Sequence, residues 1–256
     1  MPPMTRPIWL QYPASVLFIV QMYLVMAILG ILFLPLALAR REAAVAACRA
    51  YALYVRWTAS WMVGLKSEIR GPIPQGEVLI AAKHQSFFDI LVIFSVLPEP
   101  KFVMKKELLM APFLGWYAKR LGCVAVDRGK RGKAVAQMLS DIAEGRSAPG
   151  QLVIYPQGTR VAPGAELPYK TGTAAIYKET GWACVPAATN VGVFWPKRGM
   201  LRRPGTAVVE FLPEIPPGVR MSEMMARIET VIETSSNALM AEAGFVLPPP
   251  SGHGVL

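Results

Sequence analysis

The stretch VLIAAKHQSFFDILVIF, residues 78–94, predicts a buried strand that runs into a polar loop and then into a helix. Residues 78–82 are all apolar, as expected for a strand covered on both faces. The helix is predicted to begin near Ser86, because a hydroxyl followed three residues later by the acid Asp89 resembles a capping box. A strand followed directly by a helix is the unit from which α/β folds are built.

The rest of the chain repeats this pattern of short aliphatic runs separated by helix-length segments, and we therefore predict an α/β domain. Predicted strands cover residues 78–82, 101–104, 123–126, 152–155, 184–188 and 207–212. Predicted helices begin near Ser86, Lys106, Lys133, Thr171 and Ser222.

Three predicted strands end in polar loops, with the sequences AAKHQSFFD, YPQGTR and VPAATN. Ligands of open α/β sheets bind beyond the carboxyl ends of the strands. We therefore expect these three loops to line one crevice.

His84 and Asp89 are the candidates for acid–base chemistry in the first loop. Five residues along a straight helix turn about 500°, which would leave the two side chains about 140° apart. If His84 instead lies in the loop, Asp89 falls in the first helical turn and can orient the imidazole as a base. The alternatives are a structural histidine and an aspartate that only caps the helix. Ser86 is not expected to be a nucleophile, because no G-x-S-x-G turn surrounds it.

The loop Gly158-Thr159-Arg160 follows another strand and offers donors for a phosphate, since a guanidinium can bind phosphate in a bidentate manner. A plain surface turn is an equally good interpretation. The segment GKRGKA, residues 129–134, lacks the spacing and the Ser or Thr of a phosphate-binding P-loop.

Composition favours contact with lipid and with anions. The chain is 53% hydrophobic and 17% charged, with mean hydropathy +0.36 and a net charge of +10. No nucleic-acid-binding module is recognisable. Three widely spaced cysteines and two histidines predict neither a disulfide framework nor a metal site, and they favour a reducing cytoplasm.

Residues 16–39 form an apolar run whose 24 residues would make a helix of about 36 Å, longer than the ~30 Å core of a bilayer. Arg40 and Arg41 close the run, so the charge bias places the following domain in the cytoplasm. The next segment, 40–66, suits an amphipathic helix at the interface, and the two together predict a membrane-anchoring helical hairpin. Spanning and re-entrant forms are both compatible with this hydropathy. A cleaved signal peptide ending at Ala37-Leu38-Ala39 is disfavoured by the length of the run.

Taken in order, four motifs resemble those of the 1-acyl-sn-glycerol-3-phosphate acyltransferases and related glycerolipid acyltransferases, over residues 66–212. The first, H-x-x-x-x-D, is met by His84 and Asp89. The second combines K-x-E-L, P-x-x-G and G-x-x-x-x-D-R. It is met by Lys105 or Lys106, Glu107, Leu108, Pro112, Gly115, Gly122, Asp127 and Arg128. The third, usually F-P-E-G-T-R, is met by Tyr155, Pro156, Gln157, Gly158, Thr159 and Arg160, and the fourth by Val185, Pro186 and Ala187.

This resemblance implies roles for individual residues. His84 would deprotonate the sn-2 hydroxyl of lysophosphatidate for attack on an acyl thioester, and Asp89 would orient His84. Arg160 and Lys105 would hold the phosphate. Gln157 stands where the family usually has Glu, so we expect it to position the glycerol or the loop, beside Gly158 and Thr159.

The resemblance also implies an organisation and a set of partners. We expect a mixed sheet flanked by helices, as in glycerolipid acyltransferases, preceded by a two-helix membrane anchor. The predicted divisions are an anchor at 1–65, an acyltransferase domain at 66–245 and a flexible tail at 246–256. The expected product is phosphatidate, with acyl-CoA or acyl carrier protein as co-substrate and with no cofactor, metal or nucleic acid. The expected location is the inner, cytoplasmic membrane, with the active site facing the cytoplasm. The alternatives are another lysolipid acceptor or a non-catalytic lipid-binding protein.

Overall fold

A sheet of seven strands organises the part of the chain that the structure describes. The structure is a computed structural model, and it describes residues 6–111, 113–126, 136, 140 and 149–247. The strands are β1 Leu65–Arg70, β2 Val78–Ala82, β3 Pro100–Lys105, β4 Val124–Val126, β5 Gln151–Ile154, β6 Cys184–Thr189 and β7 Gly205–Phe211. Their order in the sheet is β1-β7-β6-β2-β5-β3-β4.

Strands β2 to β6 run in the same direction, and β7 joins them by pairing antiparallel to β6. The outer strand β1 pairs parallel to β7. The sheet is therefore mixed, as predicted. The carboxyl ends of its five parallel strands meet at one edge, where the polar loops begin.

Helices cover both faces of this sheet. They are α1 Ile8–Leu32, α2 Leu34–Ala39, α3 Arg41–Met62, α4 Phe88–Val96, α5 Leu114–Leu121, α6 Gly172–Thr180, α7 Val191–Phe194 and α8 Met221–Glu242. Strand β2 shows how the two cores arise, because successive side chains of a strand point to opposite faces. Ile80 and Ala82 share a buried cluster with α3 and α4, whereas Leu79 and Ala81 share one with α6 and α8.

Most predicted elements are present, with boundaries shifted by a few residues. Strand β2 has the predicted bounds, and α4 begins at Phe88 rather than near Ser86. The helix predicted from Lys106 is wrong in its form: a 3₁₀ turn covers Lys106–Met110 and α5 follows from Leu114. Pro112 lies between them in the sequence and lacks the N–H that a continuous helix needs. Three sets of predicted features lie outside the described residues. These are the start of the helix near Lys133, the motif residues Asp127 and Arg128, and the tail at 248–256.

Strand β1 and the short helix α7 were not predicted. The β1 sequence, LKSEIR, contains three charged residues, and only Leu65 is fully buried in it. It is an edge strand that pairs with β7 alone, so most of its side chains remain accessible to solvent. A strand of this kind lacks the continuous apolar pattern that identified β2.

Of the described helices, α1 alone is long and apolar enough to cross a membrane. Helix α3 packs against α4 and β1, and its buried residues Val45, Ala52 and Val55 belong to the main core of the sheet. The fold therefore has one apolar N-terminal helix, whereas a two-helix anchor is not established. The predicted divisions at 1–65, 66–245 and 246–256 stay predictions.

Helix α1 is itself fastened to the rest of the protein along one side. Gln11 Nε2 donates to the carbonyl oxygens of Val63 and Arg202, at 2.9 and 2.8 Å. Phe18 is fully buried and its ring packs edge-on against Trp195, with the centroids 5.5 Å apart. Near the other end of the helix, the Tyr117 hydroxyl donates to the carbonyl oxygen of Gly30 at 3.2 Å.

Candidate active site

Asp89 lies at the carboxyl edge of the sheet, and each of its two carboxylate oxygens has two polar contacts. It is 0% exposed, and its Oδ2 accepts the backbone N–H groups of Gln85 and Ser86 at 2.8 and 2.7 Å. Its Oδ1 lies 2.9 Å from Nδ1 of His84 and 3.4 Å from the hydroxyl of Tyr155. One carboxylate thus fixes the entry to α4 with one oxygen and contacts the imidazole with the other.

The His84 imidazole is held in a defined orientation. A carboxylate oxygen can only accept, so Nδ1 carries the proton and Nε2 is the nitrogen left to act as a base. The Tyr155 ring stacks on the imidazole with the centroids 4.0 Å apart, and the His84 side chain remains 14% exposed. Burial and the neighbouring Asp89 raise the pKa of Tyr155 well above its ordinary value, so this phenol stays neutral.

Backbone and side-chain hydrogen bonds join the polar loops at this edge. The Val161 N–H donates to the His84 carbonyl oxygen at 2.7 Å, which ties the loop after β5 to the loop after β2. The Gly192 N–H donates to Oε1 of Gln85 at 2.9 Å, which ties the segment after β6 to the loop after β2. The Val185-Pro186-Ala187 sequence lies in β6 itself, with Pro186 beside Ala81 of β2.

The loop Gly158-Thr159-Arg160 is bordered by two lysines that lie outside the four motifs. Lys197 Nζ donates to the Arg160 carbonyl oxygen at 2.9 Å and lies 3.4 Å from the Thr159 hydroxyl. Gly158 has a φ of 69°, and a Cβ atom there would lie 2.6 Å from Nζ of Lys170. The loop therefore presents several cations in a small space, an arrangement suited to an anionic group.

Gln157 lies beneath this loop and is 2% exposed. Its Nε2 donates to the Leu167 carbonyl oxygen at 3.0 Å and lies 3.5 Å from Oε1 of Glu233. Glu233 also accepts Lys83 Nζ on both oxygens, at 2.5 and 2.7 Å, and the Tyr169 hydroxyl at 2.9 Å. Burial and Glu233 raise the pKa of Tyr169.

Lys105 lies apart from this cluster. It ends β3, two strands from β2, and its Nζ pairs with Oε1 of Glu107 at 2.9 Å. Its side chain is 44% exposed and belongs to the same edge of the sheet as His84. Among the described residues, no group of three His, Cys, Asp or Glu side chains is placed to hold a metal ion.

Comparisons with known proteins identify similar chains. The family model described as Acyltransferase matches residues 65–190, which include His84, Asp89 and the 157–160 loop. A 1-acyl-sn-glycerol-3-phosphate acyltransferase of Pseudomonas aeruginosa is 29% identical over 188 residues, which are 73% of this chain and 73% of that protein. The chain belongs to the 1-acyl-sn-glycerol-3-phosphate acyltransferase family.

One further relative and one solved structure are also similar to this acyltransferase. The mouse 1-acyl-sn-glycerol-3-phosphate acyltransferase alpha is 27% identical over 164 residues, and the match spans 61% of this chain and 57% of the mouse protein. The crystal structure of the LPA acyltransferase PlsC from Thermotoga maritima superposes with a TM-score of 0.73, covering 90% of this chain and 99% of that one. At 18% identity, this second likeness shows a shared fold.

Several residues of the acyltransferase site could not be selected from the sequence. Tyr155 occupies a position in the third motif, but nothing in its pattern signals that its ring stacks on His84. Lys197 and Glu233 follow the third motif by many residues, and only the folded chain brings them beside it. Lys83, which directly follows the apolar run of β2, was a signal for an acidic partner such as Glu233, because a buried charge requires a partner.

Proposed function

We propose that this protein transfers a fatty acyl group from an acyl thioester to the sn-2 hydroxyl of 1-acyl-glycerol-3-phosphate, producing phosphatidate for phospholipid synthesis. The observation that supports this most strongly is the His84–Asp89 pair, in which Nδ1 is held by a buried carboxylate at 2.9 Å. The same pair stands in the sequence region that matches the Acyltransferase family model.

In the proposed reaction, Nε2 of His84 accepts the proton of the sn-2 hydroxyl as its oxygen attacks the thioester carbonyl carbon. The Asp89 carboxylate stabilises the imidazolium that forms. Collapse of the tetrahedral intermediate breaks the carbon–sulfur bond, and the departing thiolate takes the proton from the imidazolium. The products are the new ester and a free thiol, with no covalent acyl-enzyme.

The phosphate of the acceptor is proposed to bind beside Arg160. A guanidinium matches phosphate in geometry and charge, and Lys197 and Lys170 add positive charge around the same loop. Lys105, at the end of β3, is proposed to reach the phosphate from the other side. The Thr159 hydroxyl is proposed to add a donor between them, whereas the Gly158 N–H already donates to the Tyr155 carbonyl oxygen at 2.8 Å.

Coenzyme A and acyl carrier protein are the two proposed classes of donor, since both present acidic groups to a basic surface. The exposed Lys197 and Arg198 lie next to the 157–160 loop and offer such a surface. Parallel assays with the two thioesters, at equal concentration, distinguish them.

Helix α1 is proposed to lie in one leaflet of the membrane rather than to cross it. Its contacts with the domain extend from Gln11 to Gly30, about 28 Å along the helix axis. A helix bound along that length to a cytoplasmic domain cannot also cross a ~30 Å core. Its outer face exposes Leu17, Val20 and Leu24, and the exposed Trp57 and Trp61 of α3 add aromatic side chains suited to the interface. We place the protein on the cytoplasmic side of the inner membrane.

The test of this function is acyl transfer by the purified protein in detergent. Two donors, acyl-CoA and acylated acyl carrier protein, are each supplied with a labelled acyl group. Each is tested with lysophosphatidate, with lysophosphatidylcholine, and with a monoacylglycerol that lacks the phosphate. We expect labelled phosphatidate from lysophosphatidate and at least ~10-fold slower transfer to the other two acceptors, because they lack a phosphate monoester for the cationic loop. Transfer to every acceptor at one rate, or to none, would contradict the proposal.

A further inference from the structure

Glu233 of α8 connects the two active-site loops from the face of the sheet opposite His84. Its carboxylate accepts Lys83 on both oxygens, at 2.5 and 2.7 Å, and lies 3.5 Å from Nε2 of Gln157. Lys83 is the residue before His84, and Gln157 belongs to the loop that ends in Arg160. One side chain therefore contacts both the loop of the base and the loop of the proposed phosphate site.

Lys83 and His84 point to opposite sides because the backbone is still extended at this point. The Lys83 N–H donates to the Ala187 carbonyl oxygen at 2.9 Å, which continues the pairing of β2 with β6. The Lys83 side chain is thus directed towards α8 and is only 2% exposed, whereas His84 faces Asp89. Anchoring the ammonium of Lys83 fixes the backbone from which the imidazole projects.

Charge explains why a glutamine is compatible with this position. Lys83 and Glu233 form a neutral pair, and the Gln157 amide donates towards the carboxylate without adding charge. A glutamate at 157, the usual residue in the resembling motif, would place a second carboxylate about 3.5 Å from the first and leave two acids on one lysine. Gln157 and Glu233 are therefore matched to each other.

We propose that Glu233 is a positioning residue of this enzyme, which with its matched partner Gln157 holds Lys83 and thereby the His84 loop in register with the Arg160 loop. This inference rests on the proposed function. It also changes the role of Gln157, which acts on the geometry of the base rather than by binding the acceptor.

The test is a charge exchange between the two positions. Gln157→Glu, Glu233→Gln and the double variant are compared with wild type in kcat, KM for lysophosphatidate and thermal unfolding between pH 6 and pH 9. Glu223→Gln, in the first turn of the same helix and largely exposed, serves as the matched control.

We expect each single variant to lower kcat by about 10-fold while KM changes by less than about 3-fold, and the double variant to recover to within about 3-fold of wild type. The defect of Gln157→Glu should be larger at pH 9 than at pH 6, since two neighbouring carboxylates share a proton at the lower pH. Glu223→Gln should behave as wild type throughout.

Two results would overturn the inference in an active enzyme. If the fold-loss in kcat of the double variant equals the product of the losses in the two single variants, the positions are not matched. If the double variant recovers the wild-type unfolding temperature but not the wild-type kcat, the network has a purely structural role. A wild-type protein without acyl transfer would contradict the proposed function itself, and the unfolding measurements would then still report whether the two side chains interact.

Discussion

At the scale of single residues, the site depends on how Asp89 divides its two oxygens. Oδ2 serves the backbone N–H groups of Gln85 and Ser86, and Oδ1 serves the imidazole. The capping and orienting interpretations of Asp89 are therefore compatible, because each uses a different oxygen. Its four contacts also mean that an amide cannot replace it, since the nitrogen of the amide would face a donor on either side.

Asp89→Asn is accordingly expected to lower kcat by about 10²- to 10⁴-fold, because the imidazole loses the partner that sets its tautomer and stabilises its cation. Acyl transfer and circular dichroism on the same preparation measure the effect and the fold. Glu68→Gln, a carboxylate-to-amide change in the edge strand β1, is the control and should keep full activity. An Asp89→Asn protein that is folded and active at more than a tenth of the wild-type rate would contradict this role.

Tyr155 yields a prediction about pH. Burial and Asp89 raise the pKa of its phenol well above the ordinary value, so the hydroxyl stays protonated over the working pH range. Tyr155→Phe keeps the stacked ring and loses only a long contact of 3.4 Å. We expect kcat/KM within about 3-fold of wild type and the same shape of pH profile from pH 6 to pH 10. A decline at alkaline pH that is present in wild type and absent from Tyr155→Phe would contradict this account.

Contacts between residues that are close in the sequence could be predicted, whereas contacts between distant residues could not. The contact between His84 and Asp89 could be predicted because both lie within one loop and one helical turn. Glu233 could not be paired with Lys83, because the two are 150 positions apart and no periodicity relates them. The departure at Gln157 was visible in the sequence, whereas its explanation required the position of α8.

At the scale of elements, the strands of the sheet follow from their apolar runs and the loops follow from the strand ends. Strand β2 was predicted at its observed bounds because it is buried on both faces, whereas β1 was missed because it is exposed and charged. The gathering of three loops at one edge follows from the parallel direction of β2, β5 and β6. Their register, set by bonds such as Val161 N–H to His84 O, depends on three-dimensional detail.

The loop after β5 offers a test that separates strain from function. Gly158 and Gly181 have nearly equal φ values of 69° and 65°, so alanine at either position costs about 1 to 3 kcal/mol of backbone strain. A Cβ at Gly158 would also press on Lys170, whereas one at Gly181 meets nothing within 4 Å. We expect both variants to be destabilised, as measured by thermal unfolding, and Gly158→Ala alone to lose at least ~10-fold in kcat/KM. Equal activity losses in the two variants would indicate that strain alone is responsible.

At the scale of the whole molecule, the apolar helix α1 and the net charge of +10 suit association with an anionic membrane surface. Because α1 is bound to the domain along its length, the proposed orientation in one leaflet would keep both ends of the helix on the same side of the membrane as the domain. In the proposed orientation, the His84 edge would lie close to a lysolipid substrate held in the membrane.

A cysteine added before Met1 tests that orientation. In right-side-out vesicles, a membrane-impermeant maleimide should fail to label it until the membrane is permeabilised, since the proposed orientation keeps the start of α1 on the same side as the domain. The same preparation without the added cysteine is the control. Burial raises the pKa of the Cys48, Cys123 and Cys184 thiols to about 12, 11 and 12, so these remain poorly reactive. Labelling of sealed vesicles would show that α1 crosses the bilayer.

Single-turnover transfer to lysophosphatidate, measured in wild type and His84→Ala at saturating substrate, tests whether His84 is the base of acyl transfer. If it is, the variant stays folded, still binds lysophosphatidate, and transfers acyl groups at least ~10²-fold more slowly. A folded His84→Ala protein that transfers acyl groups at the wild-type rate would contradict it.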